Sequence, residues 1–193
     1  MKIYPEGNRF IKDVFEGNEY GFLYDYDTVI DIGANIGTFS MWIYDHAKKI
    51  YAIEPVETNV IYLTQNKEEN KLDKLSIHQM VISERNGLFF MEEDGDPLSG
   101  GWKLSVVGSY PVTGMSLKDF MDWKDIEYAD LVKIDVEGSE MDIIKADNFP
   151  KDQVGTIIGE CHASDTNCES VEKKLNWLGY KCKFINNMFI ARK

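Results

Sequence analysis

With 193 residues, the chain can build one full-sized hydrophobic core and is short for two domains. Its make-up, 44% hydrophobic and 28% charged, is that of a folded globule and excludes a disordered chain. A net charge of -12 argues against duplex nucleic acid as the main partner, because phosphate contacts need clustered Lys and Arg, though a local basic pocket is still compatible with it.

In chain order, Met1–Phe10 carries Lys2, Glu6 and Arg9 and no apolar core of signal-peptide length. Phe10, Ile11, Val14 and Phe15 are spaced for a short amphipathic helix that Gly17 could end, within an N-terminal segment 1–27. Thr28–Ile32 is a β-branched run ending at Gly33, the pattern of a buried strand. Residues 36–47 have helical spacing, with Phe39, Ile43 and Ala47 on one side. Ile50–Ile53 predicts a second strand, stopped by Glu54-Pro55, and 57–70 a helix whose apolar side holds Val60, Ile61, Tyr62 and Leu63. A third strand is expected over Leu75–Ile82.

Residues 87–113 then read as a β excursion: a strand at Gly87–Met91, a polar stretch with the turn signal Asp94-Gly95-Asp96-Pro97, and a strand-like pattern over 104–113. Ser116 with Asp119 three positions on resembles a capping box and opens a helix over 116–123. Strand–helix alternation resumes with strands at Leu131–Ile134 and Thr156–Gly159 and helices at Ser139–Lys145 and 169–178. Lys181–Ile185 and Met188–Ala191 form a closing hairpin across Asn186-Asn187. The alternation predicts an α/β fold with a mostly parallel sheet covered on both faces and one antiparallel strand at the end. Residues 1–193 are expected to form a single domain. No apolar run approaches the ~20 residues of a membrane helix, so no membrane partner is expected. Cys161, Cys168 and Cys182, odd in number and without CxxC spacing, suggest reduced thiols in a cytoplasmic protein and no zinc cluster.

The run Asp31-Ile32-Gly33-Ala34-Asn35-Ile36-Gly37 lies between a strand and a helix, where such sheets bind ligands. Gly33 and Gly37 let the backbone turn and a ligand come close, and Asn35 tolerates a left-handed conformation. The glycines are four apart, so the dinucleotide fingerprint Gly-x-Gly-x-x-Gly fails. Asp31 would repel a pyrophosphate and suits an ammonium, and Glu54 at the end of the next strand can accept from ribose hydroxyls. The pair fits a cationic, ribose-bearing ligand, S-adenosylmethionine (SAM).

Lys133-Ile134-Asp135-Val136-Glu137-Gly138-Ser139-Glu140 places a second acidic cluster at the carboxyl edge of the sheet. On an extended backbone Asp135 and Glu137 share a face, and Glu160 and His162 repeat the spacing after the next strand. Three roles are open: general base toward a hydroxyl, ligands for a divalent metal, or structural acids favouring a helix N-terminus. Glu140 suits the structural role, and Lys133 a structural ion pair with one of the acids. Asp135, Glu137 and His162 are the catalytic candidates; a metal is possible and not predicted.

Together, Val29–Gly37, Ile53-Glu54-Pro55, the Lys133–Glu140 run and Leu178-Gly179-Tyr180 before a final pair of strands resemble the FkbM family of SAM-dependent methyltransferases. The likeness spans about residues 28–191, and its most specific part is the Lys-Ile-Asp-Val-Glu-Gly run. It implies a class I methyltransferase fold, a Rossmann-like three-layer sandwich of strand order 3-2-1-4-5-7-6 with strand 7 antiparallel. It implies O-methylation of a hydroxyl on a sugar, glycan or polyketide-type acceptor. It suggests Asp31, Gly33, Asn35, Gly37 and Glu54 as SAM contacts and a turn around Val81-Ile82-Ser83 near adenine. Segments 1–27 and 87–113 would wall the acceptor site, with Trp102 and Tyr110 able to stack on a ring or simply to pack. The rival readings are a SAM- or nucleoside-binding regulator without catalysis and an NAD-dependent oxidoreductase, which the glycine spacing disfavours.

Overall fold

Apolar strands alternating with helices build the sheet that the sequence predicts. The computed structural model describes residues 1–5, 24–93, 102–105, 108–161, 165–185 and 187–193. Strand β1 (Tyr26–Ile32) leads through helix α1 (Thr38–Trp42) and a 3₁₀ turn (Tyr44–His46) into β2 (Ala47–Ile53), α2 (Glu57–Glu69) and β3 (Leu75–His78). The excursion follows as β4 (Val81–Ser83), β5 (Gly87–Glu93), β6 (Trp102–Ser105) and β7 (Tyr110–Ser116). Then come α3 (Leu117–Trp123), β8 (Ala129–Ile134), α4 (Glu140–Ile144), β9 (Val154–Glu160), α5 (Asp165–Trp177), β10 (Lys181–Ile185) and β11 (Met188–Arg192).

The main sheet has the order β3-β2-β1-β8-β9-β11-β10, with β11 antiparallel to both neighbours and the β3–β9 pairs parallel. This is the order and polarity that the family resemblance implies. Side chains alternate across it. Ile30, Ile32, Tyr51, Ile53, Val132 and Ile134 pack under α3, α4 and α5, whereas Val29, Ile50, Ala52 and Leu131 pack under α1 and α2. Both faces are therefore covered, which is why the central strands are apolar almost throughout. β1 lies between β2 and β8, so the strand order reverses at it, and the carboxyl end of such a switch-point strand is where open α/β sheets bind ligands.

Several boundaries differ from the periodic pattern. The helix expected over 36–47 stops after Trp42, because Ala47 pairs with Tyr26 and already belongs to β2. The third strand is broken: His78 pairs with Ile53, but Val81 pairs with Gly114 in a second sheet of order β4-β7-β5-β6. The chain changes sheets at Gln79-Met80. Helix α2 buries Asn59, Leu63 and Asn66, and Ile61, expected on its apolar side, is 58% exposed. The cap of α3 is as predicted: the Ser116 hydroxyl accepts from the Asp119 amide (3.1 Å) and donates to the Asp119 carboxylate (2.8 Å). The helix expected at 10–15 and the turn at 94–97 lie outside the described residues. No helix among the described residues is long and apolar enough to cross a membrane.

Candidate active site

The glycine loop leaves β1 and turns back over the end of β2. Gly33, Asn35 and Gly37 all have positive φ (77°, 51° and 90°). Gly33 is obligatory for a second reason: a Cβ there would run into the Asp135 carbonyl oxygen, so the ends of β1 and β8 touch through it. The loop satisfies its own amides. Gly33 and Ala34 N–H both donate to Ile53 O (3.0 Å each), Asn35 N–H to Glu54 Oε2 (2.8 Å), Ile36 N–H to Asn35 Oδ1 (2.7 Å) and Gly37 N–H to Ala34 O (2.8 Å). A phosphate-binding loop needs such amides pointing at the ligand; here they point inward.

Glu54 anchors the arrangement. It is 4% exposed, and its Oε1 accepts from Val56 N–H (3.0 Å) and Asn59 Nδ2 (3.1 Å). Burial raises its pKa above the usual carboxylate range, against the opposing pull of these donors and of Lys133. Three of about four acceptor positions of the carboxylate are engaged, which leaves one for a ligand hydroxyl. Asn59 Oδ1, also buried, has no hydrogen-bond partner among the described residues. Asn66 braces the loop from α2 by donating to Ile36 O (2.9 Å) and exchanging hydrogen bonds with Tyr4.

Asp31 lies below the loop and is fully buried. Ser40 Oγ donates to its Oδ2 (2.6 Å), and Lys133 Nζ stands 3.4 Å from Oδ1. Lys133 is itself 4% exposed; it donates to Gly33 O (2.8 Å) and lies 3.2 Å from Asp135 Oδ2. The lysine expected to pair with one acid thus bridges two acids and the loop. Asp135 is 25% exposed at the end of β8, where its N–H donates to Ile32 O (3.1 Å).

The extended backbone on which Asp135 and Glu137 would share a face ends before Glu137. Glu137 has φ 53° and Gly138 φ 98°, so the turn begins at the glutamate, a left-handed conformation uncommon for a residue with a side chain. Glu140 is buried and accepts from Gly138 N–H (2.9 Å), which suits the structural role expected of it. At the next strand end Glu160 accepts from Asn187 Nδ2, tying β9 to the closing hairpin. His162 lies outside the described residues. The expectation of three reduced thiols is corrected: Cys161 and Cys168 form a disulfide with Cα atoms 5.8 Å apart, and Cys182 is free and buried. The cytoplasmic placement drawn from reduced thiols loses that support.

The turn expected at Val81-Ile82-Ser83 is instead β4, with all three residues buried. Just before it, His78 at the end of β3 packs edge-on against Phe120 and Trp123 (centroids 5.3 and 5.7 Å), and burial lowers its pKa to about 4. Trp102 and Tyr110 pack edge to face on each other at 4.9 Å. No group of three or more His, Cys, Asp or Glu among the described residues could hold a metal ion. Ser40, Asn59 and Asn66 are additions to the sequence reading. The 59/63/66 helical spacing and the position of Asn59 five residues beyond Glu54 were the available signals.

Residues 31–182 match the sequence model of the methyltransferase FkbM domain. The chain belongs to this FkbM methyltransferase family. Among curated proteins, the hexuronic acid methyltransferase AglP of Haloferax volcanii is 26% identical over 137 residues, covering 71% of this chain and 56% of that protein. The chain thus spans little more than half the length of this relative. Among solved structures, methyltransferase FkbM of Methylobacillus flagellatus superposes with a TM-score of 0.63 at 15% identity, over 95% of this chain and 48% of the other. TrmK of M. capricolum, solved with S-adenosylhomocysteine (SAH), gives 0.58 at 15% identity, over 93% and 68%. At these identities the structural matches establish the class I methyltransferase fold.

Proposed function

We propose that this FkbM-family chain transfers the methyl group of SAM to a hydroxyl of a sugar or glycan-type acceptor. The observation that carries the donor half is the inward-turned glycine loop: its amides are spent within the protein, and the acceptor beside it with a position to spare is the Glu54 carboxylate. That chemistry favours a ligand with ribose hydroxyls and positive charge over the pyrophosphate of NAD. SAM supplies an electrophilic methyl on a sulfonium. Glu54 accepts from a ribose hydroxyl, Gly33 and Gly37 let the loop close directly on the Asp135 carbonyl and Leu63 where a Cβ would clash, and Asp31, paired with Lys133 beneath the loop, belongs with Asp135 to a cluster of one net negative charge. The buried Asn59 Oδ1 offers a further acceptor on the same side as Glu54.

Asp135, the partly exposed carboxylate where β8 meets the loop, removes the acceptor's hydroxyl proton, a role that contributes ~10²–10⁴-fold. Glu137, held left-handed beside it, and His162 are secondary candidates. The excursion β5–β7 walls the acceptor side. The sugar class rests on the hexuronic acid methyltransferase relative, and the net charge of -12 disfavours RNA. Calorimetry with SAM and with NAD tests the donor: NAD binding without SAM binding overturns it. Tritiated SAM with a panel of hexuronic acids, neutral sugars and RNA tests the acceptor. Asp135→Asn is expected to retain SAM affinity and lose turnover; full turnover removes Asp135 as base.

A further inference from the structure

We propose that Lys133 is a positioning residue for methyl transfer: its buried ammonium holds the Asp135 carboxylate in register with the glycine loop. The proposal rests on the reading of Asp135 as the base. Lys133 and Asp31 are register partners on β8 and β1, and the lysine side chain runs along the seam between the two strands. Around its Nζ stand Gly33 O at 2.8 Å, Asp135 Oδ2 at 3.2 Å and Asp31 Oδ1 at 3.4 Å.

An ammonium that is 4% exposed needs a counter-charge, and fully buried Asp31 supplies it. Neutralising that pair does not require Asp135, which is 25% exposed and could be solvated by water. The lysine reaches it nonetheless, while also gripping the carbonyl of the residue whose missing Cβ lets the two strand ends meet. One cation therefore ties the donor loop and the candidate base to a common point. Two carboxylates against one ammonium also leave the cluster with one net negative charge, matching a cationic donor. A base held this way keeps its distance to the donor when an acceptor enters, and a displacement of about 1 Å in such a site costs on the order of 10²-fold in rate.

Removing Lys133 alone strands the buried Asp31 charge and is expected to unfold the chain. The test therefore compares Asp31→Asn, in which Lys133 and Asp135 balance each other's charge, with Asp31→Asn/Lys133→Met, in which Asp135 has no cation beside it and no other buried charge is stranded. Crystals of both with SAH should show Asp135 turned toward Lys133 in the first and rotated away from the loop in the second. SAH affinity by calorimetry should differ less than about fivefold between them, while kcat on a methylated acceptor falls roughly 10²-fold in the second. An unchanged Asp135 orientation, or equal kcat in the two variants, overturns the proposal. Wild-type protein that binds no SAH overturns the donor reading instead, and the orientation of Asp135 in ligand-free crystals still decides whether Lys133 holds it.

Discussion

Glu54→Gln isolates the donor end of the site. The native carboxylate accepts from Val56 N–H and Asn59 Nδ2 on one oxygen and from Asn35 N–H on the other. Glutamine brings one acceptor and one NH2 group, so whichever way the amide sits, its NH2 faces a backbone N–H. One charge-assisted hydrogen bond is lost, worth about 1.5–3 kcal/mol, and part of that is offset because glutamine carries no buried charge. For the ligand there is no such offset. The ribose hydroxyl loses an ionised acceptor, and the Asn35 turn loses the anchor that shapes the loop. We expect the SAH dissociation constant to rise about 10- to 100-fold, or about 1.4–2.8 kcal/mol. Protonation should mimic the substitution. Burial raises the Glu54 pKa, so wild-type affinity should weaken as pH falls through that raised value, while the glutamine variant stays flat. The ligand-free fold responds with the opposite sign: it prefers the protonated carboxyl, so this contribution to stability is present at low pH and is lost as pH rises through the folded pKa. Calorimetry with SAH across pH reads the binding, and urea unfolding reads the stability. Wild-type affinity and pH dependence in Glu54→Gln would refute the reasoning.

Gly33→Ala should destabilise by about 3 kcal/mol, combining a left-handed φ with overpacking against the Asp135 carbonyl, and lower the melting point by roughly 6–12 °C; a loss under 1 °C contradicts the seam described above. His78, with a pKa lowered to about 4 by burial, is neutral in the fold, so the stability it contributes is present above its ordinary pKa near 6.5 and is lost as pH falls toward 4. Its ring NMR signals should stay unchanged down to about pH 5, and titration near 6.5 would refute the burial argument. Alkylation of unfolded, unreduced protein should label Cys182 alone, and label all three cysteines after reduction; three labels without reductant would remove the disulfide. SAH at 100 times its dissociation constant should add about 2.7 kcal/mol of stability, read as a rise of roughly 5–11 °C in melting temperature; no shift would argue against a pocket built from the core.

The parts of this molecule that were legible in the sequence are those where one physical demand dominates. β1, β2, β8 and β9 are buried on both faces, and their β-branched runs say so directly. Ser116 and Asp119 announce a helix start because the cap is a local hydrogen-bond exchange. The glycine loop was readable because Gly33 meets a steric demand that no other residue meets. What was misread was decided by residues distant in sequence. Ala47 left the helical pattern because Tyr26 pairs with it. Val81–Ser83 became a strand because β7, some thirty residues on, offers an edge. Asn59 and Asn66 were overlooked because buried amides break the apolar stripe that marks a helix face, and their value lies in partners, Glu54 and Ile36, on other elements. The Cys161–Cys168 bridge was missed because spacing alone does not report that a strand end and a helix start face each other.

The two ends of the site also differ in how tightly the fold constrains them. Asp31, Gly33, Lys133 and Asp135 form the β1–β8 seam and, in the proposed reading, the floor of the donor pocket. A substitution at any of them disturbs core packing and ligand binding together, so stability and donor recognition restrict the same few positions. That coupling explains how short runs around Gly33 and Asp135 can carry a family resemblance when overall identity to solved relatives is only 15%. The excursion, the acceptor wall in the proposed reading, has no such coupling. The excursion rests on a small separate cluster of Val56, Val81, Met91 and Val112, and its Tyr110 is half exposed. Changes there can reshape the wall facing the acceptor without touching the seam. On the proposed reading, substitutions at Tyr110 should therefore alter acceptor choice with SAH affinity unmoved.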